Sequence, residues 1–402
     1  MKTLRRIPYF LILLPLFFCL HGWMENDGLV GAKELFSLGA VISVCILLGF
    51  GLAWVLYKRK YRPAALVTFF IALWYLFFGA FTDWLNRIPS LRFLSSYRYC
   101  IPLLLIATLC WIVLLRKREA LQQKLVYFLN ILLLIYCVID IGLLLTRKKD
   151  PALTHVPARI RIDTAKVSDK PNVYFLLFDE YAGRKSLRDS FQFNNDSIYA
   201  YLGNRGFKEL PLFSNYDFTL FCMSSILNMR YVPPGYTADA IVERDLQLRT
   251  IEIRNAAVFD VFREMGYSIH NYSLFDIGDQ PGVARRNSFL PVHSQLLTDK
   301  ILHNRILRTS GWLLRTEKFG IASLRRKLLM EHDVNNRSME ELLVAGAREK
   351  GGKPGFYISH FFLPHWPYYH DSAGVYLPES VISDATRIKD RALYISYLKY
   401  TN

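Results

Sequence analysis

Three short stretches of this 402-residue chain carry the residue types that chemistry on an anionic ester needs. Asp179 and Glu180 directly follow an unbroken apolar run, residues 172–178. Further on, residues 214–225 form a hydroxyl-rich segment containing Thr219, Cys222 and Ser224, which leads into the apolar, helix-like run 226–229. His360, His365 and His370 cluster around a second apolar run, with Trp366, Tyr368 and Tyr369 beside His365. Carboxylate oxygens and imidazole nitrogens bind divalent metals. Such an ion lowers the pKa of a coordinated hydroxyl and neutralises charge on a transferred phosphoryl or sulfuryl group. A hydroxyl that opens a helix gains further from the free backbone N–H groups and the positive end of the dipole. The aromatic residues beside His365 suit a sugar or lipid-headgroup pocket. Each stretch also has a plain structural reading, as helix caps or as loop residues around a proline turn.

Residue types alone do nothing until elements position them. Residues 172–178 and 356–362 read as strands buried on both faces, as in a parallel sheet covered by helices. Residues 196–206 and 256–265 read as helices ending at glycine, 267–272 as a strand, and 339–349 as a helix before a glycine-rich break. Residues 301–330 are basic and helical in part. This alternation predicts an α/β domain with a mostly parallel sheet and helices on both faces. Asp179 and Glu180 then lie at the carboxyl end of a strand, where open α/β sheets place their sites. Residues 151–170 are polar, carry two prolines and read as a linker.

The first 150 residues are of another kind. They hold 18 Lys and Arg against 7 Asp and Glu, and the remainder holds 32 against 27. The excess positive charge lies between long apolar runs, so it reads as membrane topology and not as a nucleic-acid surface. Five runs (7–23, 35–57, 63–82, 99–115 and 125–146) are candidate transmembrane helices, the first read as a retained span rather than a cleaved signal. Asp140 inside the last reads as an acid satisfied by a partner or facing water. Eleven Lys and Arg on one side of these spans against seven on the other predict a cytoplasmic N-terminus and a large domain outside. Five of the six cysteines lie in the apolar runs, so no disulfide is possible within the outer domain.

The order of these features resembles the alkaline phosphatase/sulfatase superfamily: a strand ending in Asp-Glu, a hydroxyl-rich helix start, and a strand leading to Leu363-Pro364-His365-Trp366-Pro367. With the membrane anchor, the chain is similar to the membrane-bound sulfatase-like transferases, which include lipoteichoic acid synthases and lipid A phosphoethanolamine transferases. The resemblance implies a membrane anchor over 1–150, a linker over 151–170 and an alkaline phosphatase-like α/β/α sandwich over 171–402. It implies a divalent ion (zinc, manganese, magnesium or calcium) held by Asp179, Glu180 and Thr219. Thr219 takes the place of the nucleophile, in competition with Cys222 and Ser224, and His365, Trp366 and His360 contact the substrate.

The implied activity is transfer of a phospho-headgroup, of phosphoethanolamine or phosphoglycerol type, from a membrane lipid to a cell-envelope glycan acceptor. The implied setting is the outer face of a bacterial-type plasma membrane, with no nucleic-acid partner. A sulfatase or phosphodiesterase hydrolase, and a non-catalytic membrane protein keeping the fold, are the alternatives. The family closes its core with a strand carrying Asp-His-Gly, and this sequence has no Asp-His pair. The expectation is therefore a C-terminally incomplete sandwich with apolar surface left open.

Overall fold

The computed structural model describes residues 6–26, 29–116, 118–146, 169–232, 241–283, 294–310, 322–348 and 352–402. The linker reading of 151–170 lies almost wholly outside these residues, as do Lys2, Arg5 and residues 147–149 used for topology. The elements are α1 (Phe10–Glu25), α2 (Ala32–Leu56), α3 (Tyr61–Arg87), α4 (Tyr97–Leu115), α5 (Glu119–Thr146), β1 (Val173–Phe178), α6 (Arg184–Phe191), α7 (Asp196–Gly203), α8 (Thr219–Asn228), α9 (Glu243–Arg254), α10 (Ala257–Glu264), β2 (Ser268–Tyr272), α11 (Gln295–Thr298), α12 (Leu302–Ser310), α13 (Ala322–Leu329), α14 (Glu331–Arg348), β3 (Gly355–Phe361), α15 (Glu379–Ile382) and α16 (Arg391–Thr401). They fall into two compact units. One combines Met1–His155 with Arg286–Gly311, and the other combines Val156–Arg285 with Trp312–Asn402.

In the first unit, α2, α3, α4 and α5 are long and apolar enough to cross a membrane. At 1.5 Å per residue, the 19 residues of α4 already reach about 28 Å, close to a bilayer core. With 16 residues, α1 is the short member of the five runs. Two polar links hold it against α5. The Asn130 side chain accepts from Phe10 N–H and donates to Ile7 O, each at 2.8 Å, and so satisfies backbone groups at the start of α1. Further along, the buried Asp140 lies 3.3 Å from His21 Nδ1, which supplies the partner an acid at that depth needs.

The sequence reading put residues 286–311 in the outer domain, yet they group with the helices. The reason is visible on α3. Gly79 N–H donates to Lys300 O at 2.7 Å, Asp83 takes Lys300 Nζ and Arg305 Nη2, each at 2.7 Å, and Tyr75 Oη meets His303 Nδ1 at 2.6 Å. Only a glycine permits this approach, because a Cβ on residue 79 would stand 2.8 Å from Lys300 Cα and 2.7 Å from Arg305 Nε. Gly79→Ala is therefore expected to unseat residues 298–305 at a cost of about 1–3 kcal/mol. Trypsin cleavage after Lys300 and Arg305 in detergent should accelerate; an unchanged cleavage rate would contradict this.

The second unit is built on a parallel three-stranded sheet, ordered β1-β3-β2. Every residue of central β3 is buried, as the continuous apolar run predicts. Phe356 and Ile358 face a core with Met223, Leu227, Ile253, Phe259 and Ile269, supplied by α8, α9, α10 and β2. On the other face Tyr357 Oη bonds Gly346 O of α14. Helices thus cover both faces. Strand β1 departs from the reading. It is an edge strand whose burial alternates, and Tyr174, Leu176 and Phe178 remain 38–43% exposed. Its apolar residues are shielded in part by ring stacking, Tyr174 on Tyr357 and Phe178 on Phe361 and Tyr181. A second core of Leu187, Tyr368, Tyr369, Tyr394, Tyr397 and Leu398 ties α6 and the loop after β3 to α16.

Candidate active site

The carboxyl ends of β1 and β3 lie side by side, because the strands run parallel in register from Val173↔Phe356 to Phe178↔Phe361. The ladder continues one step further, with Asp179 N–H donating to Phe361 O at 3.0 Å. That bond fixes the Asp179 backbone where the sheet ends. From β3, His360 places Nε2 3.3 Å from Asp179 Oδ2. From the opposite direction Thr219, the first residue of α8, donates its hydroxyl to Asp179 Oδ1 at 3.3 Å. The structure thus brings together residues from three separate stretches of chain on one carboxylate.

The hydroxyl-rich segment resolves into distinct roles. No side chain caps the start of α8, so the Thr219 hydroxyl is not spent on capping. Cys222 Sγ donates to Tyr216 O at 2.9 Å and lies 3.0 Å from Ser214 Oγ. Ser224 is buried and donates to Glu252, which also pairs with Arg230 and Arg249. Of the three competing nucleophiles, Thr219 is the one on Asp179.

The three histidines each meet a different acid: His360 meets Asp179, His365 meets Glu180 at 3.3 Å, and His370 meets Asp333 at 3.1 Å. Glu180 adopts a left-handed backbone, φ +59°, and its carboxylate pairs with His365 instead of converging with Asp179. The metal set Asp179, Glu180 and Thr219 is therefore not assembled as read. Two oxygen donors converge where a protein-held ion needs three or four, and among the described residues no group of three His, Cys, Asp or Glu could hold a metal. Among the described residues, those at this site do not by themselves complete a metal centre.

His360, read as a substrate contact, is 2% exposed and stacked between Phe275 and Phe362. It reaches a substrate only through Asp179. His365 is partly exposed, and its Nδ1 is engaged by Trp366 O. Trp366 is half-buried, and its indole Nε1 is buried without a partner among the described residues.

Burial pushes the Asp179 carboxyl upward, but the hydrogen bond and charge of His360, the charge of His365 and the Thr219 hydroxyl outweigh it and hold the group below its ordinary value. The sign follows directly. A depressed folded-state pKa contributes stability above the unfolded value of about 4, and that contribution is lost as pH falls through the folded value. Acid titration of unfolding is therefore expected to show a loss below about pH 4 that Asp179→Asn removes. Superimposable wild-type and variant profiles would contradict the assignment. Burial also pushes Tyr368, beside Glu180, up to about 12, so its phenol is no base at neutral pH.

The comparisons return nothing. No family model, curated protein or solved structure matches the chain. The geometry at Asp179 must therefore carry the functional reading.

One polar cluster escaped sequence reasoning. Asp333, in the first turn of α14, is buried and accepts from Tyr376 Oη at 2.8 Å, from His370 and from Arg337. The only trace in sequence is the charged triplet Glu331-His332-Asp333, with nothing local to connect it to His370.

Proposed function

We propose that the protein is a membrane-anchored sulfatase-like transferase that moves a phospho-headgroup, of phosphoethanolamine or phosphoglycerol type, through Thr219 to a cell-envelope acceptor. On this reading five helices span a bacterial-type plasma membrane and an alkaline phosphatase-like domain stands outside it. The observation that carries it is the Thr219 hydroxyl, at the first position of α8, held on Asp179 at the carboxyl end of β1.

Thr219 Oγ attacks phosphorus in line with the departing lipid alcohol. Its proton is directed to Asp179 Oδ1, the atom it already faces. A carboxyl held below its usual range is a weak base, so Asp179 acts first by orienting the hydroxyl, with His360 locking its other oxygen. The backbone N–H groups at the start of α8 face the charge that develops on the phosphoryl oxygens. His365, held by Glu180 and partly exposed, lines the site where the headgroup would sit. As its P–O bond breaks, the diacylglycerol oxygen takes the Thr219 proton from Asp179. An acceptor hydroxyl then attacks the phosphorus and passes its proton by way of Asp179 to the departing Thr219 oxygen.

The incomplete donor set favours one second reading, an outer unit that keeps the fold for binding and performs no chemistry. Trapping separates the two. Full-length protein in vesicles containing fluorescent phosphatidylglycerol or phosphatidylethanolamine is quenched in acid, and its peptides are analysed by mass spectrometry. A phospho-headgroup adduct on Thr219, with release of diacylglycerol, is expected. Absence of both adduct and diacylglycerol with either lipid would move the assignment to the binding reading.

A further inference from the structure

The end of the helical unit where α3 gives way to α4 gathers more positive charge than anything there neutralises. Asp83 and Asp299 are the carboxylates that take its cations, and Glu25 at the end of α1 and Glu34 at the start of α2 stand at the same end. Lys300 and Arg305 are committed to Asp83, and Arg308 lies 2.7 Å from Asp299. Arg87 at the end of α3, Arg92 in the turn that follows and Arg98 in the first turn of α4 are all exposed, and none pairs with a carboxylate among the described residues. Tyr97 Oη donates to Arg305 O at 3.0 Å, so the start of α4 and the helix α12 belong to one surface. Exposed apolar residues share this end: Trp84 at 52%, Phe93 at 59% and Leu307, next to Arg308, at 49%.

Aromatic rings that are amphipathic or apolar, set beside guanidinium groups at the end of membrane-length helices, match a headgroup region. The rings sit at the acyl boundary and the cations meet phosphate. Arginine suits this role because its planar donors take two phosphate oxygens at once. On the topology proposed above, this is also the side that the distribution of Lys and Arg disfavours. Positive charge gathered there calls for an anionic partner.

We infer that the α3–α4 turn together with α12 forms a binding surface for anionic phospholipid headgroups, with Arg87, Arg92 and Arg98 as its contacts. The surface belongs to the helical unit, and its test does not depend on the chemistry proposed for Thr219. Lys300 and Arg305 serve a different purpose, since they seat α12 on Asp83 and keep the surface assembled.

The test uses full-length protein in detergent, equilibrated with dioleoylphosphatidylglycerol or dioleoylphosphatidylcholine, with retained lipid counted by native mass spectrometry. Wild type is expected to prefer the anionic lipid by about tenfold or more, at about fivefold for each arginine near the surface. Arg87→Gln/Arg92→Gln/Arg98→Gln should abolish the preference while leaving helix content unchanged, because these exposed side chains are not among those that seat α12 on Asp83. Lys58→Gln/Lys60→Gln, at the other end of α3, should retain it. Equal retention of both lipids by wild type, or an unaltered preference in the triple variant, would overturn the inference. Complete displacement of the anionic lipid by millimolar inorganic phosphate would also overturn it, by assigning the surface to free anions.

Discussion

Thr219→Ala is expected to lower headgroup transfer by about 10³-fold or more, because it removes the atom that forms the covalent bond. The variant should fold normally. The hydroxyl is one of two contacts on Asp179, and His360 keeps the other oxygen fixed at 3.3 Å. Thr219→Ser preserves the nucleophile and its bond to Asp179, so it should stay within about tenfold of wild type. Release of diacylglycerol from labelled phosphatidylglycerol vesicles, measured for all three proteins, decides the matter. If Thr219→Ala keeps full turnover, the nucleophile lies elsewhere. The structure then leaves little room for substitutes, since Cys222 is bonded to Tyr216 O and Ser224 to Glu252, away from Asp179.

The second large effect concerns stability. Asp333→Ala is expected to destabilise the second unit by about 3–5 kcal/mol, as removal of one partner of a buried ionic cluster does. The carboxylate is 4% exposed and serves three partners, His370, Tyr376 and Arg337. Its loss leaves the buried His370 Nε2 without an acceptor in a site where water cannot replace it. The loop after β3 is fastened there, since His370 also faces Gly374 O at 3.2 Å and stacks on Tyr400 of α16. For a unit of this size each kcal/mol shifts Tm by about 2–4 °C, so a fall of about 6–20 °C should be seen by intrinsic fluorescence. Asp333→Asn, which keeps the shape and one acceptor, should lose about half as much. A Tm for Asp333→Ala unchanged from wild type would show that the cluster is not structural. Because His365 and Trp366 lie on the same loop, the variant should also weaken headgroup binding before the unit unfolds.

Much of the architecture was legible because its signals are local. Runs of apolar residues with no charge mark α2, α3 and α4, a run with the single acid Asp140 marks α5, and any such long apolar helix is costly to leave in water. The strands β1 and β3 were recognisable from continuous apolar runs, and so was the position of Asp179 just beyond β1. The start of α8 was not readable to the residue. A cluster of Ser, Thr and Asn suits both caps and nucleophiles, and only the bond to Asp179 separates Thr219 from its neighbours. Strand β1 illustrates the limit of an apolar run. Val173 to Phe178 reads as buried on both faces, but burial depends on what is packed alongside, and β1 lies at the sheet edge.

By itself, then, the sequence determined where the membrane-length helices and the strands lie and which polar residues stand at their ends, because period, charge and apolar content act over a few residues. It also carried the three acids that the histidines use, but not the pairing. Only the tertiary structure decided that His360 serves Asp179, His365 serves Glu180 and His370 serves Asp333. Likewise, only the tertiary structure seated residues 300–305 on α3 by way of Gly79 and Asp83. Two of these three histidine–acid pairs, and the seating on α3, join residues more than a hundred positions apart. Across such distances a side chain's partner is set by the strand register and helix packing that bring it near, not by its spacing along the chain.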